Sequence, residues 1–143
     1  SLQAVSPRWA AAAMHRLWFT PPNPRPWPGS RRRFTRAAAL RLTVKGRRVA
    51  AWRFGAGPPV ALLHGWGGHA GHLAAFVQPL LEAGFQVVAL DAPGHGESEG
   101  SAMGFRQSSF FDFADALEAV VVAALKQASK TREEKADLPA AAS

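Results

Sequence analysis

Residues 60–68 (VALLHGWGG) and residues 85–98 (FQVVALDAPGHGES) decide the fold of this 143-residue chain. The first stretch opens with a continuous apolar run over Val60–His64, the second opens with the mostly apolar run Phe85–Asp91, and each closes in a glycine-rich loop. Runs without polar alternation are typical of strands buried on both faces of a parallel sheet. The intervening residues His69–Ala83 carry apolar side chains at helical spacing, and a proline within them is a candidate kink. The region therefore predicts a strand–helix–strand unit.

The flanking sequence predicts a hairpin and two further helices. Ala39–Lys45 alternates apolar and polar residues, and Arg48–Phe54 returns after a turn at Lys45 and Gly46. Residues 8–19 predict a short helix, and the five prolines between positions 21 and 28 predict an extended connector. Ser109–Gln127 predicts a long helix. We expect its inner side to carry Phe110, Phe113, Ala114, Leu117, Val120, Val121 and Ala124.

The order of these elements is a hairpin followed by strand, helix, strand and helix, which indicates the α/β class with a parallel sheet. Residues 1–38 form a basic, proline-rich arm with a short helix, and residues 39–128 form the α/β domain. Residues 129–143 are interpreted as a polar, frayed tail. We expect the tryptophans of the arm, Trp9, Trp18 and Trp27, to pack under the domain.

The charge of the chain is unevenly distributed. Residues 1–57 carry twelve Arg and Lys and no acidic residue, whereas residues 58–143 carry five basic and ten acidic residues. The absence of cysteine excludes disulfides, thiolate zinc sites and a cysteine nucleophile. The longest apolar run, Ala119–Leu125, is too short for a membrane-spanning helix, and no signal-peptide pattern is present. The working expectation for localisation is the cytoplasm.

The two glycine-rich loops are the candidate functional region. Both follow strands at the carboxyl edge of the predicted parallel sheet, where open α/β sheets place their sites. The loop His64–Gly68 also precedes a predicted helix. Backbone N–H groups at such a helix start can bind an anion or a developing oxyanion.

The motifs HGWGG (64–68) and DAPGHGES (91–98), with His64 and Asp91 27 positions apart, resemble the N-terminal half of the α/β-hydrolase superfamily over about residues 39–125. The resemblance implies a partial hydrolase sheet in the order 1-2-4-3. It also implies an oxyanion hole at Trp66 and Gly67, in which the Trp66 N–H faces the oxyanion and the Trp66 ring lines the acyl pocket. No metal or organic cofactor is implied.

The remaining motif residues are expected to shape the loops rather than to react. These residues are His64, Gly65, Gly68, Asp91, Gly94, His95, Gly96 and Ser98. A hydrogen-bonded His64 is favoured over a proton carrier. A metal cluster of His64, His69 and His72 is disfavoured, because their spacing places at most two ligands on one helical turn.

Residues 96–100 (GESEG) match the G-x-S-x-G pattern of a nucleophile elbow, but Ser98 is rejected as the nucleophile. It lies seven residues beyond the predicted strand end, and two flanking carboxylates oppose the negative charge of the transition state. The family's triad order is serine, acid, histidine, and no histidine follows His95. We therefore expect no catalytic residue within this chain, which is interpreted as a fragment with its nucleophile, acid and base beyond residue 143.

The expected function is that of a hydrolase fragment. The complete enzyme would act on a small-molecule acyl substrate, cleaving a carboxylic ester, thioester or amide through an acyl-enzyme, and the isolated chain would be inactive. The alternative is a non-catalytic basic module that binds nucleic acid or an anionic membrane through residues 1–57. Nucleic acid is not the expected partner. Self-association is expected through an exposed edge of the strand Val60–His64.

Overall fold

The computed structural model describes residues 6–21, 34–100 and 107–137. Most of the predicted connector between positions 21 and 28, including Trp27, lies outside these ranges. In chain order, the elements are α1 (Pro7–Trp18), β1 (Ala38–Val44), β2 (Arg47–Phe54), β3 (Pro59–Leu63), a 3₁₀ helix (Ala70–Phe76), α2 (Val77–Glu82), β4 (Gln86–Leu90) and α3 (Phe110–Ala136). None of these helices is both long and apolar enough to cross a bilayer.

The four described strands form one mixed sheet in the order β1-β2-β4-β3, as expected. β1 pairs antiparallel with β2, β2 antiparallel with β4, and β3 parallel with β4. The hairpin turns at Lys45 and Gly46, which both adopt positive φ (47° and 77°), as a two-residue turn between twisted strands requires. β4 is completely buried at the centre of the sheet.

The expectation that β3 is buried on both faces is wrong. Each of its residues is only half-buried, because β3 is an edge strand of the described sheet and has β4 on one side alone. An apolar run without alternation predicted the strand, but such a run does not specify its position within the sheet. The sequence also predicted that this strand has an exposed edge, and in the observed order of strands β3 is the last strand of the described sheet.

The predicted helix at residues 69–83 is divided in two. A 3₁₀ helix occupies Ala70–Phe76, and regular α-helix begins only at Val77. Proline cannot donate to the carbonyl four residues before it, and its ring crowds that carbonyl. Pro79 is therefore accommodated in the first turn of α2 and does not kink a continuous helix.

Helix α3 is longer than predicted. Ser109 and Asp112 form a capping box at its start, and the helix continues past Gln127 to Ala136. Residues 129–136 were expected to be frayed, yet they contain good helix formers and a Lys130–Glu134 pair with an N–O distance of 3.9 Å. The inner side also differs from the expectation, because Phe110 and Ala114 are exposed whereas Ala116 is buried.

The two faces of the sheet are covered by different helices. On one face, Ala116, Val120 and Ala124 of α3 pack on a cluster that includes Val88 and Leu90 of β4. On the other face, Val77 of α2 packs with Val87 and Phe54. Alternate residues of β4 thus serve opposite layers, as the two-residue period of a strand dictates.

Helix α1 lies outside both core clusters and has no buried residue. The expectation that the tryptophans of the arm pack under the domain is wrong for Trp9 and Trp18, which are 74% and 75% exposed. The end of the helix is attached to the start of α3, where Ser108 N–H donates to the Phe19 carbonyl at 2.8 Å.

Candidate functional site

The two predicted loops meet at the carboxyl ends of β3 and β4. A histidine from each loop accepts a hydrogen bond from the backbone of the other loop. The Ala92 N–H donates to His64 Nε2 at 3.0 Å, and the Gly67 N–H donates to His95 Nε2 at 3.0 Å. Both histidines are buried, and their ring centroids lie 5.1 Å apart. Each imidazole therefore satisfies a backbone donor of the neighbouring loop.

The second nitrogen of each ring defines the tautomer. His64 Nδ1 lies 2.8 Å from the Gly65 carbonyl, and His95 Nδ1 lies 3.0 Å from the Pro93 carbonyl. Because each Nε2 accepts, both rings are assigned as the neutral Nδ1–H form, which donates to these carbonyls. Burial lowers the pKa of His64, which favours the neutral ring. Both ring nitrogens of His64 are thus engaged by backbone groups, one in each loop.

Asp91 organises the loop after β4. Its Oδ1 accepts from Ala70 N–H at 2.6 Å, and its Oδ2 accepts from Glu97 N–H at 2.8 Å. Burial raises the pKa of this carboxyl, and the two backbone donors oppose that shift. Gly96 has a positive φ of 50°, and a Cβ at this position would overlap the Asp91 carboxylate. The close approach of Gly96 to Asp91 is therefore the reason that this position holds glycine.

Gly94 and Ser98 also shape this loop. Gly94 has a φ of 79°, and its N–H donates to the Glu99 carbonyl at 2.8 Å. The Ser98 hydroxyl donates to the Asp91 carbonyl at 2.6 Å and accepts from Ala50 N–H at 2.9 Å. Ser98 is 6% exposed, so its oxygen is engaged by the backbone and shielded from solvent. This geometry suits a structural serine and gives no support to a nucleophile.

Among residues 66–68 of the loop after β3, one backbone N–H has no hydrogen-bond partner in the described part of the chain. The Gly67 N–H is occupied by His95, so it is not available for the oxyanion role that the resemblance implied. Within the described residues, the Trp66 N–H makes no hydrogen bond. The Gly68 N–H donates to the Gly65 carbonyl at 3.0 Å, and a Cβ on Gly68 would lie 3.2 Å from His64 Nδ1. Among Trp66, Gly67 and Gly68, Trp66 therefore carries the candidate donor.

Aromatic packing fixes the Trp66 ring. It stacks on Phe113 with a centroid separation of 6.0 Å and an interplanar angle of 17°. Its centroid lies 5.2 Å from that of the His95 ring, which is nearly perpendicular to it, and 5.7 Å from that of the Phe110 ring. Such contacts restrict the side chain and, with it, the backbone that carries the candidate donor.

An open cavity of about 260 Å³ lies beside the Trp66 ring, and its walls are almost entirely apolar. The cavity is lined by Trp18, Phe19, Trp66, Ser109 and Phe110. Sequence reasoning missed Trp18 and Phe19 as site residues. The connector that follows them in sequence carries no pattern that predicts where α1 docks on the domain.

Ion pairs account for part of the uneven charge. Arg41 pairs with Glu97 at 3.1 Å and Lys45 with Asp115 at 2.6 Å. Arg47 pairs with Asp112 at 3.5 Å, and the Arg48 guanidinium binds the Glu99 carboxylate, with Nε at 2.6 Å from Oε1. The Arg48 hydrogen bond lowers the pKa of Glu99. The basic hairpin is thus neutralised in part by the acidic segment 97–115.

The described residues hold no group of three or more His, Asp or Glu side chains that could bind a metal ion. The rings of His69 and His72 lie close together, with centroids 4.0 Å apart. His69 Nδ1 accepts from Gly71 N–H at 3.1 Å and so serves as a helix cap. Burial lowers the pKa of His69, and His72 adds to the shift.

The sheet order, the parallel β3–β4 pair and the paired glycine-rich loops define an α/β-hydrolase. Residues 58–138, more than half of the chain, match the family model of the serine aminopeptidases, S33. The chain belongs to this family.

Individual relatives match parts of the chain. Over 44 residues, the chain is 52% identical to a pimeloyl-[acyl-carrier protein] methyl ester esterase of Methylococcus capsulatus, covering 31% of this chain and 17% of the relative. Among solved structures, the esterase EaEST of Exiguobacterium antarcticum has a TM-score of 0.52 and 26% identity, over 62% of this chain and 32% of its own. The epoxide hydrolase VrEH1 of Vigna radiata has a TM-score of 0.45 and 25% identity, and the match covers 48% of this chain and 22% of VrEH1. The matched region thus spans a third or less of each of these proteins.

Proposed function

We propose that this chain provides the oxyanion-binding half of a hydrolase that cleaves a carboxylic ester, thioester or amide through an acyl-enzyme. The observation that carries this proposal is the Trp66 N–H, which makes no hydrogen bond to a described residue and belongs to a residue that lines an apolar cavity. An unpaired backbone donor next to apolar walls is suited to the carbonyl oxygen of an acyl group. The family membership and the esterase relatives support the same reaction class.

In this mechanism, an activated serine attacks the acyl carbonyl and forms a tetrahedral intermediate. The negative charge on its oxygen is stabilised by the Trp66 N–H and by a second donor, and water then releases the acid. His64 and His95 act as positioning residues, because their Nε2 atoms already accept backbone hydrogen bonds. The nucleophile, the acid and the base of the triad are proposed to come from outside residues 1–143.

The Trp66 donor can be tested without catalysis. The 143-residue chain is labelled with ¹⁵N and titrated with methyl hexanoate, and the amide spectrum is recorded by NMR. A parallel titration uses 1-methoxyhexane, which has a similar apolar chain but no carbonyl oxygen. We expect the Trp66 amide proton to move downfield with the ester and not with the ether.

Two variants sharpen this test. Trp66→Phe keeps the backbone N–H, whereas Trp66→Pro removes it. We expect Trp66→Phe to retain a downfield shift at position 66 and Trp66→Pro to bind the ester no better than the ether. An ester that moves only side-chain signals in the original chain would refute the oxyanion role of this N–H.

The alternative of a basic binding module has less support. Four of the basic residues in segment 1–57 form ion pairs with acidic residues of this same chain. Charges that are already paired contribute less to a phosphate-binding surface. The charge asymmetry therefore fits intramolecular pairing better than recognition of a polyanion.

A further inference from the structure

The end of helix α1 is attached to the site, although the helix itself is not part of the core. Ser108 N–H donates to the Phe19 carbonyl, and the Phe19 ring packs against His15 with a centroid separation of 4.6 Å. No residue of α1 is buried. The contacts at its end place Trp18 and Phe19 beside the loop of Trp66.

Three separate elements form the walls of the apolar cavity. Trp18 and Phe19 come from the end of α1, Trp66 from the loop after β3, and Ser109 and Phe110 from the start of α3. The volume of about 260 Å³ exceeds the roughly 150 Å³ of an engineered apolar cavity that binds benzene. It therefore has room for an unbranched acyl chain of moderate length or for one aromatic ring.

The polar groups at the cavity restrict the chemistry of its occupant. The Ser109 hydroxyl donates to Asp112 Oδ2 at 2.9 Å and accepts from the Asp112 N–H, so it is engaged in the helix cap. Trp66 also lines the cavity, and its N–H makes no hydrogen bond to any residue that the structure describes. The complementary ligand has an apolar body and a single hydrogen-bond acceptor at one end. An uncharged acyl group has this form.

We propose that Trp18 and Phe19 form one wall of an acyl-binding subsite, and that α1 thereby determines which acyl chains the site accepts. This inference rests on the proposed function, because it takes the Trp66 N–H as the group that holds the carbonyl oxygen. The substrate class is an ester or thioester of an unbranched aliphatic acid. Trp18 and Phe19 are specificity-determining residues and take no part in the chemical step.

The test compares two tryptophans of the same helix. Trp18 lines the cavity, whereas Trp9 does not, and the two are almost equally exposed. Dissociation constants for methyl hexanoate are measured by NMR titration of the 143-residue chain and its variants. We expect Trp18→Ala to weaken binding about tenfold, as loss of one large aromatic contact would, and Trp9→Ala to leave it unchanged. Phe19→Leu, which keeps apolar volume, should weaken it less than Phe19→Ala.

A chain-length series provides a second readout. We expect affinity to rise from methyl propanoate to methyl hexanoate in the original chain, and this rise to be smaller in Trp18→Ala. Equal dissociation constants for Trp18→Ala and Trp9→Ala would overturn the proposal, as would an affinity that is independent of chain length. Both variants require circular dichroism spectra matching the original chain.

This result is distinguishable from failure of the proposed function. If the Trp66 amide responds to the ester but Trp18→Ala has no effect, the oxyanion role stands and the α1 wall is refuted. If Trp18→Ala weakens the binding of ester and ether equally while the Trp66 amide is silent, the cavity binds apolar chains but not as an acyl subsite. That outcome overturns both proposals.

Discussion

His64 and His95 each hold the loop that carries the other. His64 accepts the N–H of Ala92 from the loop after β4, and His95 accepts the N–H of Gly67 from the loop after β3. Both rings must be neutral at Nε2 for this exchange, since a protonated imidazole has no acceptor nitrogen. The relationship couples the geometry of the candidate oxyanion donor to the protonation of two buried histidines.

The first prediction concerns pH. Burial is the largest cause of the lowered pKa of His64, with smaller contributions from His69 and His72, while the Gly65 carbonyl opposes the shift. In the interval between the folded-state pKa and the unfolded value of about 6.5, the unfolded chain binds more protons. The contribution of neutral His64 to the free energy of unfolding is therefore fully present above the unfolded pKa and is lost as the pH falls through the folded-state pKa. We expect the melting temperature to decrease between about pH 7.5 and about pH 5.5.

A matched pair of variants checks this assignment. In His64→Gln, the side-chain carbonyl oxygen can replace Nε2 as an acceptor without titrating. This variant should show a flatter pH dependence of the melting temperature, whereas the exposed His15→Gln should follow the original chain. Identical pH profiles for His64→Gln and the original chain would contradict the prediction.

The second prediction concerns the Asp91 loop. Gly96→Ala would place a methyl group onto the Asp91 carboxylate at a positive φ. We expect it to lower the free energy of unfolding by about 2–4 kcal/mol, since both overlap and backbone strain contribute. Gly65→Ala is the control, because a Cβ there meets nothing within 4 Å. Chemical denaturation of both variants provides the measurement, and equal midpoints would argue against the role given to Gly96.

The third prediction concerns hydrolysis. We expect the 143-residue chain to release no p-nitrophenol above background from p-nitrophenyl butyrate, because the Ser98 hydroxyl is engaged by the backbone. Ser98→Ala should leave that rate unchanged. It should also cost about 1–3 kcal/mol of stability, because it leaves the Ala50 N–H without its acceptor. Turnover in the original chain that disappears in Ser98→Ala would reinstate this serine as a nucleophile.

The fourth prediction concerns the paired charges of the hairpin. We expect weak binding of a single-stranded oligonucleotide at physiological salt. The double variant Glu97→Gln, Glu99→Gln frees Arg41 and Arg48 and should bind more tightly, with a steeper dependence on salt. Fluorescence anisotropy across a salt series measures both the dissociation constant and its dependence on salt concentration. Tight binding by the original chain, unaffected by this change, would favour the basic-module reading.

The fifth prediction concerns the edge of the sheet. Within the described residues, β3 pairs with β4 alone and carries no charged side chain. We propose that the 143-residue chain self-associates through this edge as its concentration rises. Ala61→Lys should reduce the association, and Val122→Lys, which adds the same charge to an exposed position of α3, should not. Light scattering over a concentration series tests this, and a monomer at every concentration would refute it.

The sequence predicted the features that depend on local pattern. The runs at 60–64 and 85–91 located two strands, and the carboxyl edge of a parallel sheet was expected to bring their loops into one site. Sheet position, however, is a property of the neighbours of a strand, which is why the half-burial of β3 was not foreseen. The destination of the Gly67 N–H depends on a ring orientation across two loops, and no local pattern specifies it. The docking of Trp18 was hidden for a similar reason, because the connector after it does not specify where α1 lies.

The bond from Gly67 to His95 has a consequence for where the rigidity of the site originates. The carbonyl of His95 accepts the N–H of Ser98, and the hydroxyl of Ser98 accepts the N–H of Ala50 in the second strand. A relay of hydrogen bonds thus runs from the peptide plane next to Trp66 down to the antiparallel hairpin. The orientation of the proposed oxyanion donor therefore depends on β2, which contributes no side chain to the described lining of the cavity. A backbone distortion at Ala50 would therefore disturb an acyl group that it never touches.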